Sequence, residues 1–62
     1  MFTEIIEKEI RNVKFEIEDL EILIDHEASL SNYERGELID ERYKLKGKLE
    51  GLKLALETYT SN

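Results

Sequence analysis

Apolar residues recur in the first half of the chain at alternating steps of four and three: Ile6, Ile10, Val13, Ile17, Leu20 and Ile24. That is the spacing of helices packed at shallow crossing angles, and no strand keeps the phase. The second half repeats it with Leu38, Leu45, Leu49, Leu52, Leu56 and Tyr59, Arg42 standing where another apolar residue would complete the row. Between the rows lies His26-Glu27-Ala28-Ser29-Leu30-Ser31-Asn32-Tyr33-Glu34. Ser31, followed three residues later by Glu34, has the form of a capping box opening a second helix, and Leu30 before it helps to fix the direction of the incoming chain. Thr3 is placed to cap the first helix, with Glu4 and Glu7 against the positive end of its dipole. The tail from Thr58 to Asn62 holds weak helix formers and is expected to fray. The pattern predicts a single helical-hairpin domain over residues 1–62: one helix over about 3–28, a turn over about 29–31 and a second helix over about 32–58.

So short a connection makes the helices antiparallel neighbours. With the turn centred near Ser31, residues whose numbers sum to about 62 stand at one level, so Ile10 meets Leu52, Val13 meets Leu49, Ile17 meets Leu45 and Ile24 meets Leu38. Glu16, Glu18, Asp19 and Glu21 fall beside Lys44, Lys46 and Lys48, pairs that select this register more than they stabilise it, at about 0.2–1 kcal/mol each. Glu27 and Arg35 are expected to pair across the turn. Arg42 is within reach of Glu21 or Glu16, either as a polar seam residue that fixes register or as an arginine anchor for a partner.

A second set of apolar and small residues lies off the seam. Phe15 and Ile22 fall on the far side of the first helix, with Ile5 close by and Leu23 and Leu30 on a flank. On the second helix Gly47, Gly51 and Ala55 recur every four residues, with Tyr43 and Leu54 alongside. A glycine inside a helix costs about 0.5–1 kcal/mol relative to alanine, so the pair calls for a packing reason. The chain has 62 residues, no cysteine and no clustered metal ligands. One hairpin seam is a small core, and chains below roughly 70–80 residues usually need a staple or oligomerisation. We therefore expect a homodimer, a four-helix bundle in which the large side chains of one hairpin fill the small-residue face of another. The alternative is that the glycines are tolerated on the surface and the extra apolar residues merely widen the core stripe.

The formal charge of −6 is unevenly divided. Through residue 30 there are nine acidic and three basic side chains; from residue 31 six of each cancel. This argues against direct binding of nucleic acid, which draws affinity from a dense positive surface. Glu16, Glu18, Asp19, Glu21 and Asp25 form a candidate acidic face for a basic partner surface, the alternative being a solvated face that keeps the protein soluble. Ile22-Leu23-Ile24 is the longest aliphatic run, so neither a membrane span nor a signal-peptide core is expected, and with no cysteine the expected location is the cytoplasm.

No catalytic constellation is present. The stretch His26-Glu27-Ala28-Ser29-Leu30 has leucine where a zinc-protease helix needs its second histidine. There is no glycine-rich phosphate loop and no cysteine nucleophile, and a di-iron bundle site would need inward Glu-x-x-His elements where the seam offers only Glu27. His26 reads as an exposed histidine near a helix C-terminus. No catalytic, metal or cofactor residue is assigned, and the chain is not expected to be an enzyme.

Tyr33-Glu34-Arg35-Gly36, followed by Gly47-Lys48-Leu49-Glu50-Gly51-Leu52-Lys53-Leu54-Ala55-Leu56, resembles the second helix of small hairpin proteins encoded by bacteriophages and prophages. The resemblance covers about the second half of the chain. It implies a mobile-element protein that binds and modulates a host protein, and it brings no catalytic residues. The helical-hairpin phosphatases of sporulation response regulators carry Ser-Gln-Glu-Leu-Asp on their second helix. The nearest stretch here, Gly36-Glu37-Leu38-Ile39-Asp40, lacks Ser-Gln and has an inserted isoleucine that turns the aspartate by about 100° around the helix. Three functions follow in order: a homo-oligomeric interaction protein that occludes a host protein, a purely structural assembly hairpin, and a phosphatase-type hairpin.

Overall fold

A computed structural model of the protein describes residues 2–60. Two helices make up almost all of it: α1, Phe2–His26, and α2, Asn32–Thr60, lying side by side as an antiparallel hairpin 48 Å long and 14 Å by 12 Å across. The expected register holds along its length. Phe2 and Tyr59 meet at the open end with ring centroids 4.6 Å apart. Near the turn the Arg42 guanidinium lies 3.8 Å from the Glu21 carboxylate.

The seam of α1 forms the core. Ile6, Ile10, Val13, Ile17 and Ile24 are buried, Val13 completely, while Leu20 is half-buried. On α2 no residue reaches full burial; Leu38, Leu45, Leu49, Leu52 and Leu56 are all half-buried. The difference follows from side-chain shape. β-Branched residues hold their bulk close to their own backbone, so the α1 row sits beneath the longer leucines of α2. Those leucines have no further layer above them.

The turn supplies the polar satisfaction that two helix ends require. At the start of α2 the Glu34 N–H donates to Ser31 Oγ at 3.1 Å, and the Ser31 N–H donates to Glu34 Oε1 at 3.1 Å, which is the capping box in both directions. The end of α1 is closed differently. No described residue has a positive φ, so there is no left-handed terminating residue to satisfy the last carbonyls. The Arg35 guanidinium, projecting from the first turns of α2, donates instead to the main-chain carbonyls of Ile24 and, at 3.0 Å, Glu27. The expected Arg35–Glu27 side-chain pair is thus corrected: the arginine takes the Glu27 carbonyl, and the Glu27 carboxylate accepts from Ser29 Oγ at 2.7 Å and from the Ser29 N–H.

The ends of the helices also differ from expectation. Thr3 lies inside the first turn of α1 and is not its cap, because the helix already includes Phe2, whose ring packs on Tyr59. At the other end α1 stops at His26, two residues early, where the Arg35 contacts take over from the helical ladder. The fraying expected from Thr58 does not occur through Thr60; Thr58 and Thr60 hydroxyls donate back to the carbonyls of Leu54 and Leu56, both at 2.9 Å. Ser61 and Asn62 lie outside the described residues.

Two measurements check this account of the turn. Arg35→Met keeps the aliphatic stem and removes both charge-assisted bonds, so it should lower stability by about 1.5–3 kcal/mol, visible as a fall of several degrees in the thermal melt; an unchanged melting temperature would show that the α1 carbonyls find water equally well. The carboxyls of Glu27 and Glu34 are held below their ordinary 4.5, Glu27 chiefly by the Ser29 hydroxyl and then its N–H, Glu34 chiefly by the Ser31 N–H and then its hydroxyl. Because the folded state depresses them, their contribution is full above pH 4.5 and is lost as pH falls through the lower folded values. The stability gap between the native protein and a Glu27→Gln/Glu34→Gln variant should therefore be present at pH 7 and close below about pH 4.5; a gap independent of pH would contradict the assignment.

Candidate interaction surfaces

At about 100° per residue the hairpin has two narrow edges, where the helices face away from each other, and two broad faces, each spanning both helices. Phe15 is two residues from Val13 and from Ile17, which places it opposite the buried seam. It is 64% exposed, and Ile22, one heptad on, is 56% exposed. By the same count Gly47, between Leu45 and Leu49, lies on the outer edge of α2, with Tyr43 and Leu54, 72% and 65% exposed, in the same strip. Gly51 and Ala55 rotate from that edge toward one broad face.

The two surfaces that the expected dimer joins are thus on opposite edges of one hairpin. Seating Phe15 of one copy at Gly47 of another is a head-to-tail contact, which repeats into a row and does not close about a two-fold axis. A closed pair of hairpins requires a different face. The glycines themselves leave the hairpin indifferent: a Cβ built at Gly36, Gly47 or Gly51 meets nothing within 4 Å.

The broad faces differ in character. One carries a groove lined by Lys14, Ile17, Glu18, Glu21, Lys46, Leu49 and Glu50, and the Arg42–Glu21 pair lies on this side. The other carries a groove lined by Glu16, Asp19, Leu20, Leu23, Glu41 and Leu45. Along this second face Ile5, about five turns before Leu23, projects from the same side of α1, and Leu52 and Tyr59 follow Leu45 at heptad steps on α2. Phe2 joins Tyr59 at the far end. Ile5 is 68% and Leu23 42% exposed. The first groove has charges from both helices around Ile17 and Leu49; the second sets Leu20, Leu23 and Leu45 beside Glu16, Asp19 and Glu41, and its face is crossed by an ion pair between Lys48 and Glu9, at 3.2 Å.

The five acids expected to form one partner face do not share a face. Glu16 and Asp19 border the apolar groove, Glu21 pairs with Arg42, and Glu18 lines the charged groove. Glu18, Asp19 and Asp25 lie three or four residues from Phe15 or Ile22 and therefore edge that apolar pair. The lysine expectation is corrected in detail as well: Lys48 reaches Glu9, about two turns or more nearer the start of α1 than the acids expected to face it. Sequence reasoning missed Arg35 as the closure of α1 and Leu23 as part of a continuous apolar face. The second was signalled by the spacing Ile5 to Leu23.

Among the described residues no three His, Cys, Asp or Glu side chains converge on a metal-binding geometry, and no helix is long and apolar enough to cross a membrane. His26 is exposed at the last residue of α1. No protein family matches the chain, and no curated protein or solved structure is similar to it.

With open space at every glycine Cβ, Gly47→Ala is expected to stabilise α2 by about 0.5–1 kcal/mol, raising the melting temperature without altering the mass in solution. A lower melting temperature accompanied by a lower mass would show that another helix seats against that edge.

Proposed function

We propose that the protein is a self-associating interaction hairpin that binds a second protein and modulates it by occlusion, as the phage-encoded hairpins resembled by its second half do. The observation that carries this reading is the imbalance of apolar side chains. Among the described residues five are buried, while Phe2, Ile5, Phe15, Ile22, Leu23, Tyr33, Tyr43, Leu54 and Tyr59 are large and exposed. Single exposed apolar residues are ordinary, but a strip of them on a small chain marks an interaction surface. The outer edge of α1 suits a partner with a basic surface and an apolar hollow, because Phe15 and Ile22 stand among Glu18, Asp19 and Asp25 and α1, with eight acids and three bases, carries most of the net negative charge. The partner in this reading is a host protein in the host cytoplasm.

The second reading, an assembly hairpin whose only partner is itself, draws on the same imbalance and differs in what becomes of the α1 edge. Phosphatase chemistry has less support: Asp40 is exposed among Glu37, Glu41, Lys44 and Leu45, and the stretch that carries it lacks the Ser-Gln of the phosphatase hairpins.

Light scattering after size exclusion, across a dilution series and beside helical circular dichroism, tests self-association. We expect a mass near twice 7.3 kDa that holds on dilution; a stably helical species at 7.3 kDa would end this part of the reading. The occlusion part is tested by pull-down from bacterial lysate with the native protein and with a Phe15→Glu/Ile22→Glu variant of equal mass in solution. A protein retained only by the native chain supports it, and identical retention by both leaves the assembly hairpin.

A further inference from the structure

We propose that a second copy of this chain covers the broad apolar face, stacked so that each α1 lies over the other copy's α2, the two-fold axis running parallel to the helices. This rests on the self-association reading and says which surface closes it. The buried seam leaves the five seam leucines of α2 half-open; Leu45 opens onto the face that holds Ile5, Leu20, Leu23, Leu52 and Tyr59, and Leu49 onto the opposite one. A strip 48 Å long and two helices wide has the extent of a standard interface, roughly 800 Å² per partner. The opposite broad face sets charges from both helices, Lys14, Glu18, Glu21, Lys46 and Glu50, around Ile17 and Leu49.

Charge chooses between the two ways of stacking such faces. On this face α1 presents Glu9, Glu16 and Asp19 with no cation among them, whereas α2 presents Lys48 together with Glu41, and Lys44 borders it. Stacking α1 on the second copy's α1 would set carboxylates against carboxylates. Stacking α1 on the second copy's α2 keeps residues that sum to about 62 at one level, bringing Glu16 and Asp19 opposite Lys44 and Lys48 and Ile5 opposite Ala55 and Tyr59. Like-charge juxtaposition across an interface opposes the first arrangement, and complementary charge favours the second. Every neighbouring pair of helices in the resulting bundle is antiparallel.

The test uses mass and cross-linking on the full chain. Leu23→Glu should halve the scattering mass from about twice 7.3 kDa to 7.3 kDa, while Phe15→Glu, on the outer edge, should leave it unchanged. A dimeric native protein in which Phe15→Glu dissociates the pair and Leu23→Glu does not would overturn the stacking and leave self-association standing; a monomeric native protein would overturn both. Since Leu23→Glu can also weaken the hairpin, the geometry is read separately with Glu16→Cys and Lys48→Cys, exposed positions in a chain without cysteine. Oxidising an equimolar mixture of the two single variants should give mainly the mixed disulfide dimer. Predominance of the Glu16→Cys self-disulfide would show α1 on α1 and overturn the proposal.

Discussion

The single seam between α1 and α2 has to supply nearly all of the burial in this chain, and the rest of the structure answers to that constraint. A helix in a larger bundle has neighbours on two or three sides; here each has one. The isoleucine row of α1 is enclosed because the leucines of α2 roof it, and the leucines stay half-open because nothing roofs them. Long helices are the only way for one seam to gather more area, which accounts for a molecule 48 Å long from so few residues. Even so, the number of large apolar side chains left exposed exceeds the number buried.

A one-seam fold also depends on its turn, since that is where the register of both helices is set. Two separate devices act within a few residues. The Ser31–Glu34 box fixes where α2 begins. Arg35, one residue farther on, reaches across to the carbonyls of Ile24 and Glu27 and so ties the end of α1 to the same short segment. Arginine suits this role because its planar fork offers several donors in fixed directions, and the carbonyls it meets are those a terminating glycine would otherwise help to satisfy. The ends of the two helices are thereby held to each other and not merely capped in isolation.

Those facts separate what was legible in the sequence from what was not. The seam, the antiparallel register and the capping box are local or periodic, so Ile6 through Ile24, the Leu38 to Leu56 row and Ser31-x-x-Glu34 declared themselves. Arg35 did not, because its acceptors are main-chain atoms and a sequence shows only side chains; opposite charge pointed to Glu27, and the acceptor was the carbonyl of that residue. Thr3 misled because its side chain is a good cap, while the aromatic contact of Phe2 with Tyr59 lengthened the helix past it. The expected seating of Phe15 from one copy at the small-residue face of another, around Gly47, was drawn from level along the hairpin. Level follows from chain position alone, but which way each residue faces relative to the other helix needs the angular count on both helices at once, and that count puts them on opposite edges.

The same angular count gives the opposed edges a use once hairpins are stacked as proposed. With each α1 over the second copy's α2, the outer edge of one α1 lies beside the outer edge of the other copy's α2, at one level. Phe15 and Ile22 then stand next to the second copy's Tyr43 and Gly47, forming a surface two helices wide that neither hairpin has alone. The small residues on α2 would keep that surface shallow enough for a partner to reach Phe15, which gives the glycines a reason that the hairpin itself does not supply, since each of their missing Cβ atoms would meet open space. Two such surfaces would point in opposite directions, so one compact partner molecule could not engage both, and any gain from bivalency would require two partner molecules or one that wraps the bundle. Self-association and partner binding would in the proposed arrangement be one design: building the bundle would consume the broad apolar face and create the composite edge.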